Sequence, residues 1–178
     1  MKLTTVLLAT FAMAATAFAG EVSYSSKSSK AIAPVQQAIG CDCFAPGAAF
    51  GINASAIFLD GGDEDFGGGI LAEYFFTDMI GIQGAYNLLA TDSEHHEYDA
   101  ALIVRFPIEE ACIAPYIMGG VGYAANADEA WNLFAGAGLD IRFPDANCFG
   151  IFADGAYHWS EDDDADFTLV RLGVKFRL

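Results

Sequence analysis

The chain has 178 residues with 24 Asp+Glu against 8 Lys+Arg, a formal net charge of −16, and yet 54% of its residues are hydrophobic. This length suits one domain, and the charge argues against nucleic acid as a partner, because neutralising phosphates requires lysine and arginine. The apolar content is too high for a disordered acidic chain. Acidic and apolar residues must therefore be segregated in the fold.

Residues 1–19 have the pattern of a secretory signal peptide. Lys2 precedes an uncharged, mostly apolar run, and Ala17-Phe18-Ala19 supplies the small residues that signal peptidase requires. The run is short for a membrane-spanning helix. We therefore expect the chain to be exported and this segment to be removed.

Residues 20–46 form an N-terminal segment that is rich in serine and lysine and lacks strand alternation. Two interpretations are open. The segment is either a flexible leader or a tether that packs against the end of the domain that follows.

From residue 47 onward, eight runs alternate apolar and polar residues with a period of two, which predicts strands. Each run has about 9–13 residues, the length of a tilted strand that crosses a bilayer. No comparable segment has a helical period. The predicted strands are 47–59, 66–76, 80–90, 98–106, 112–125, 131–143, 149–159 and 167–178.

The connections between these strands alternate in length and charge. "DGGDED", "TDSEHHE", "NADEA" and "SEDDDAD" follow strands one, three, five and seven; they hold fourteen of the 24 acids and no lysine or arginine. "TDM", "PIEEA" and "PDAN" follow the even strands and are short. This pattern predicts an all-β fold, an eight-stranded antiparallel up-and-down transmembrane β-barrel over residues 47–178, with both termini at the end of the short connections.

Alternation also separates the two faces of each strand. An inward-facing charge avoids the cost of about 2–4 kcal/mol that a charge facing lipid incurs near the midplane. Four carboxylates and four cations share the inner face, so the lumen is close to neutral, and we expect Arg142 to pair with Asp140 and Arg105 with Asp99. The predicted lumen residues are Glu73, Gln83, Asn87, Asp99, Arg105, Asp140, Arg142, Asp154, His158, Arg171 and Lys175.

A network of this kind would plug a barrel of eight strands, which is just wide enough for side chains. A charged pore is the alternative.

Four segments resemble the small eight-stranded outer-membrane barrels of Gram-negative bacteria, of the OmpA transmembrane-domain and OmpX type. They are "AEYFFTDMIGIQGAY" (72–86), "APYIMGGVGY" (114–123), "LFAGAGLDIRF" (133–143) and "GIFADGAYHW" (150–159). The resemblance implies an outer-membrane location with periplasmic termini, contact with outer-membrane lipid and lipopolysaccharide, and no shared catalytic residue. We expect a monomer.

The last strand also resembles the signal by which the barrel assembly machinery recognises such proteins. The matching residues are Arg171, Gly173, Phe176 and Leu178, with leucine where an aromatic residue is usual.

The four cysteines, Cys41, Cys43, Cys112 and Cys148, all fall at the end of the short connections. An even number of cysteines in an oxidising compartment predicts disulfides. Cys112–Cys148 is one option; bonds from the "CDC" segment to each of the two turns are another.

Two features could carry other chemistry. "SEHHE" (93–97) is a weak metal motif, and the acidic loops could hold Ca²⁺ or Mg²⁺ loosely through Asp63, Asp65, Asp162 and Asp164. A solvated charge ring, screened by salt, is the alternative. In "YHWSE", His158 and Ser160 resemble the base and nucleophile of outer-membrane lipid A deacylases.

These observations favour a non-enzymatic outer-membrane barrel without a cofactor, with a role in envelope integrity or surface interaction. A narrow passive channel and a lipid A-modifying enzyme are the alternatives.

Overall fold

A computed structural model describes residues 41–59, 64–90, 95–125, 130–160 and 166–178 of the chain. These residues fall within one compact unit, Gln37–Leu178. The predicted signal peptide, residues 20–40 of the N-terminal segment, and Asp63, Asp162 and Asp164 lie outside the described residues. None of the described helices is long and apolar enough to cross a membrane.

Eight antiparallel strands form one closed barrel in which each strand pairs with its neighbours in sequence and β1 pairs with β8. The strands are β1 (Gly47–Leu59), β2 (Glu64–Phe75), β3 (Ile80–Leu89), β4 (His95–Arg105), β5 (Ile113–Ala125), β6 (Ala130–Phe143), β7 (Phe149–Ser160) and β8 (Phe167–Arg177). Closure leaves no strand edge, so the sheet satisfies its own backbone groups as a bilayer requires. The all-β, eight-stranded, up-and-down prediction is confirmed.

Two strands start two or three residues earlier than the sequence pattern predicted. β2 begins at Glu64 and β4 at His95, whereas the apolar alternation begins at residues 66 and 98. Polar residues continue both strands, because ladder pairing extends past the apolar band. Glu64, Asp65 and Glu97 therefore belong to strands rather than to the acidic loops.

The barrel has two distinct ends. What we call the turn end carries the short connections 76–79, 106–112 and 144–148. Here the Thr77 hydroxyl accepts hydrogen bonds from the backbone N–H of Met79 and Ile80 at 3.2 and 2.9 Å, and Pro144 opens a short 3-10 helix, Pro144–Ala146. The opposite end, which we call the loop end, carries the acidic connections 60–63, 90–94, 126–129 and 161–166, which are similar in length to the turns rather than longer as the sequence predicted.

The outer face is apolar and has aromatic rows near both ends. Near the loop end, the rings of Tyr86, Tyr98, Tyr123 and Trp131 form a row across β3 to β6, with neighbouring centroids 5.1, 6.5 and 5.0 Å apart. At the turn end, Phe143, Phe149 and Phe176 form a second group. Aromatic rows flanking an aliphatic band mark the two interfaces of a bilayer-spanning barrel.

Candidate functional site

The inner face carries charged and polar side chains that are almost fully buried. The residues predicted for the lumen all point inward, and four further polar residues, Asn53, Ser55, Glu97 and Asn132, join them. The charged groups other than Arg105 fall into three clusters along the barrel axis, described below from the turn end to the loop end. The structure thus contains a salt-bridge network in the lumen.

The cluster nearest the turn end, the turn-side cluster, joins Glu73, Asp140, Arg142 and Lys175. Arg142 donates to both carboxylate oxygens of Asp140 at 2.7 and 2.8 Å, and its Nη2 donates to Glu73 Oε1 at 3.2 Å. Lys175 Nζ lies 2.8 Å from Glu73 Oε2 and 3.5 Å from Asp140 Oδ2. Two cations meet two anions, so this cluster is neutral. Such charge-assisted and bidentate bonds are the stronger kind.

The central cluster is built on Asp154 and Arg171, from the adjacent strands β7 and β8. Arg171 donates to the two oxygens of Asp154 at 2.8 and 3.1 Å and to Gln83 Oε1 at 3.1 Å. The Tyr116 hydroxyl donates to Asp154 Oδ2 at 2.7 Å. One cation meets one anion, so this cluster is neutral as well.

Arg105 does not pair with Asp99 as the sequence suggested. It lies at the turn end, where Nε donates to Asp78 O at 2.7 Å and Nη2 donates to Phe44 O. Its guanidinium carbon stands 3.5 Å from the centroid of the Phe75 ring. Arg105 and Asp99 share one face of β4 but are six residues apart, about 20 Å along the strand, which is too far for an ion pair.

The loop-side cluster contains Glu97, Asp99, Asn132 and His158. Asn132 Nδ2 donates to Glu97 Oε1 at 2.9 Å, and Asn132 Oδ1 lies 2.9 Å from His158 Nδ1. The sequence interpretation missed Glu97 because it assigned the residue to a loop. Its position two residues before Asp99, with the same parity, is the signal that could have found it.

Apolar side chains fill the space between the charged clusters. Phe152, 1% exposed, crosses the lumen, and Lys175 Nζ stands 4.7 Å from its ring centroid. Gly173 makes room for this ring, since a Cβ at Gly173 would lie 2.7 Å from a ring carbon of Phe152. At the turn end, a cavity beside Glu73 and Arg105 has a volume of about 10 Å³, room for about one water molecule.

The end of the N-terminal segment closes the turn end of the barrel. Cys41 is bonded to Cys112 and Cys43 to Cys148, so both bonds run from the "CDC" segment to the two turns, one of the two options left open by the sequence. Phe44 is buried between them against the base of the barrel. Residues 41–44 are therefore tethered to the turn end, whereas the choice between a flexible leader and a tether stays a prediction for the rest of the N-terminal segment, which lies outside the described residues.

The remaining predicted site residues are dispersed. Asp65 is the one member of the acidic quartet within the described residues, half-buried on the inner rim of β2. His96 faces outward, and its Nδ1 lies 2.8 Å from the Tyr86 hydroxyl. Ser160 ends β7, and its backbone N–H donates to Asp166, while His158 Nδ1 bonds Asn132 rather than the Ser160 hydroxyl.

The terminal residues proposed as an assembly signal follow the same two faces. Arg171 points into the lumen, whereas Phe176 and Leu178 are exposed on the outside.

Comparison with known proteins agrees with this geometry. The model of the outer membrane protein beta-barrel domain family matches residues 4–178. The chain belongs to this family. It is a small outer-membrane β-barrel, and its membrane contacts follow from the apolar outer face. No curated protein sequence matches it.

Three solved structures show the same fold. The N-terminal β-barrel domain of Pseudomonas aeruginosa OprF is 17% identical with a TM-score of 0.55, covering 75% of this chain and 99% of that one. Neisserial surface protein A is 14% identical with a TM-score of 0.59, covering 74% and 96%. Ail, the attachment invasion locus protein of Yersinia pestis, is 22% identical with a TM-score of 0.54, covering 75% and 97%.

Proposed function

We propose that this protein is a sealed, non-catalytic outer-membrane barrel that contributes to envelope integrity and presents its acidic loop end to the cell exterior. The observation that carries the proposal is the filled lumen. Two neutral ion clusters and the Phe152 ring occupy its middle, and the disulfide-bonded tether covers its turn end. This filling, within the described residues, supports a barrel that does not conduct ions.

Planar-bilayer recording tests the seal. Purified protein should insert without producing discrete conductance steps. The double variant Glu73→Ala/Lys175→Ala removes one anion and one cation of the turn-side cluster. It serves as a control with an opened lumen, in which leak events should become frequent. Regular conductance steps from the unaltered protein would favour the narrow passive channel instead.

The lipid A-modifying alternative depends on His158 and Ser160. Within the described residues, His158 is 1% exposed and faces the lumen, out of reach of a lipid on the outer surface. We therefore expect no deacylation of lipid A by the purified protein. Activity that disappears in Ser160→Ala would overturn this part of the proposal.

The proposed orientation places both termini in the periplasm and the loop end outside, as the family architecture favours. An epitope tag inserted at residue 163 should be detected on intact cells, whereas a tag at residue 146 should be detected only after the outer membrane is permeabilised. The reverse result would invert the topology.

The acidic loops also define what the exterior surface can bind. Ail was crystallised with the heparin analogue sucrose octasulfate, a polyanion, whereas the loops of the present chain hold no lysine or arginine. Like charges repel, so we expect this protein to bind polycations or loosely held Ca²⁺ and Mg²⁺. Surface binding of heparin at physiological salt would contradict this expectation.

A further inference from the structure

The loop-side cluster differs from the other two clusters in its charge balance. Glu97 and Asp99 bring two carboxylates to the inner face of β4, with 0% and 8% of their surfaces exposed. Asn132, which is hydrogen-bonded to both Glu97 and His158, brings no positive charge. Two adjacent carboxylates repel each other, and burial adds a desolvation cost to each charge. The turn-side and central clusters have no such excess.

Three buried polar atoms of this cluster have no hydrogen-bond partner among the described residues. They are Glu97 Oε2, Asp99 Oδ1 and His158 Nε2. Buried polar atoms without partners are uncommon, and each calls for a water, an ion or another ligand. Other lumen residues, such as Asn53, Gln83 and Arg171, also have such atoms, but only here, within the described residues, do Glu97, Asp99 and His158 bring one ligand atom each to within 4.8 Å of one another.

Asn132 fixes the state of the imidazole. Its amide nitrogen donates to Glu97, so its carbonyl oxygen faces His158 Nδ1, which must carry the ring proton. Because Nδ1 is bonded to Asn132, Nε2 is the ring nitrogen that remains for a ligand. Hydrogen bonds that fix one imidazole nitrogen in this way orient histidines that bind metals. The rings of Phe134 and Phe167 stack on His158 and hold it further.

The spacing of the ligand atoms is close to that of a metal centre. In a tetrahedral site with bonds near 2.1 Å, neighbouring ligand atoms are about 3.4 Å apart. His95 Nε2 lies 3.4 Å from Glu97 Oε2, and Glu97, Asp99 and His158 each place a ligand atom within 4.8 Å of the others. His95 thereby adds a second imidazole beside the three grouped residues.

Gly122 on β5 gives the cluster its space. A Cβ at this position would collide with Glu97 Oε1 and Asn132 Oδ1. Glycine at this position therefore leaves room for the side chains of Glu97 and Asn132.

The geometry points to a binding site for one divalent transition-metal ion, of the Zn²⁺ class, held by Glu97, Asp99 and His158 with His95 beside them. The ion would neutralise the excess charge and tie β4 to β7 across the lumen at the loop end. Imidazole together with carboxylate ligands suits Zn²⁺, whereas Ca²⁺ and Mg²⁺ prefer oxygen ligands alone. This site lies inside the barrel and is separate from the acidic loop quartet.

The test compares thermal unfolding of the full-length exported protein in detergent with EDTA and with Zn²⁺. At about 100 times the dissociation constant, Zn²⁺ should raise the midpoint by roughly 5–10 °C, and Ca²⁺ or Mg²⁺ at equal concentration should not. Protein extracted without chelators should carry close to one equivalent of metal. A midpoint that is the same in EDTA and Zn²⁺, or that rises equally with Ca²⁺, would overturn the site.

The variants Asp99→Asn and Glu97→Gln keep the shape of each side chain and remove its charge. Each should abolish most of the Zn²⁺ response, yet be at least as stable as the unaltered protein in EDTA, because one of two repelling carboxylates is gone. A merely structural role would lower stability in both conditions. The matched control neutralises Asp63, Asp65, Asp162 and Asp164 and should keep the full response. If the control alone loses the response, the ion binds the loops and the lumen site is refuted.

Discussion

The position of each inward-facing charge along the barrel axis decides which partner it contacts. Arg142 reaches Asp140 and Glu73, and Lys175 reaches the same two carboxylates. Arg105 sits below them, where backbone carbonyls and the Phe75 ring replace a carboxylate. A cation that faces the lumen can therefore be stabilised either by an anion or by aromatic and backbone groups.

Arg105→Ala tests this distinction. The substitution removes a buried cation–π contact and hydrogen bonds to two carbonyls, and should lower the free energy of unfolding by about 2–4 kcal/mol. Urea unfolding in detergent measures the change. Adding Asp99→Asn to this variant should give an additive effect, because the two sites are far apart. Recovery of stability in the double variant would mean that the two residues pair after all.

The period-two pattern explains which residue-scale predictions succeed. Parity along a strand is local, so it can place Asp154, His158 and Arg171 on the inner face without knowledge of the rest of the barrel. Arg105 was matched to the wrong group because only face and sign of charge were compared, although Asp99 lies six residues away on the same strand, too far for an ion pair. Glu97 was missed because polar composition was taken as the end of the strand.

At the scale of elements, the tether and the two turns act as one unit. Cys112 and Cys148 flank the connections 106–112 and 144–148, and the segment 41–44 is bonded to both. The sequence showed that the four cysteines share one end, but their connectivity depends on how the segment lies across the opening. Only the arrangement of the turns in space decides between the options.

Non-reducing peptide mapping of protein exported in cells should find Cys41–Cys112 and Cys43–Cys148. The double variant Cys41→Ser/Cys112→Ser should lower the free energy of unfolding by about 2–5 kcal/mol and retain the second bond. A Cys112–Cys148 peptide, or four free thiols, would contradict the tether.

The end of β8 combines a proposed assembly signal with a packing constraint at Gly173. Gly173→Ala should cost about 1–3 kcal/mol of stability, because the added methyl group overlaps Phe152 and the backbone of β1. Gly84→Ala is the matched control, since a Cβ there meets nothing within 4 Å, and its effect should stay within about 0.5 kcal/mol. Equal thermal midpoints for the two variants would show that Gly173 is not needed for packing.

At the scale of the whole molecule, the alternation of residues sorts apolar side chains to the outside and charges to the inside. Strand number and connectivity were predictable from the sequence for two reasons. Every strand repeats the same pattern, and the charge of each connection indicates at which end of the barrel it lies. The result is a membrane protein whose interior resembles a salt-bridged polar core, with its charge excess collected at the loop end.

The central claim is that the lumen is a closed, paired interior, and the Asp154–Arg171 pair is where it can be measured most directly. A double-mutant cycle with Asp154→Asn and Arg171→Met, followed by urea unfolding in lipid vesicles, gives the coupling energy. Each single variant should lower the free energy of unfolding by about 3–5 kcal/mol, because it leaves a buried charge unpaired. The loss in the double variant should be smaller than the sum of the two single losses by about 2 kcal/mol or more. Effects that add to within about 0.5 kcal/mol would indicate a water-filled, screened lumen and would contradict the account.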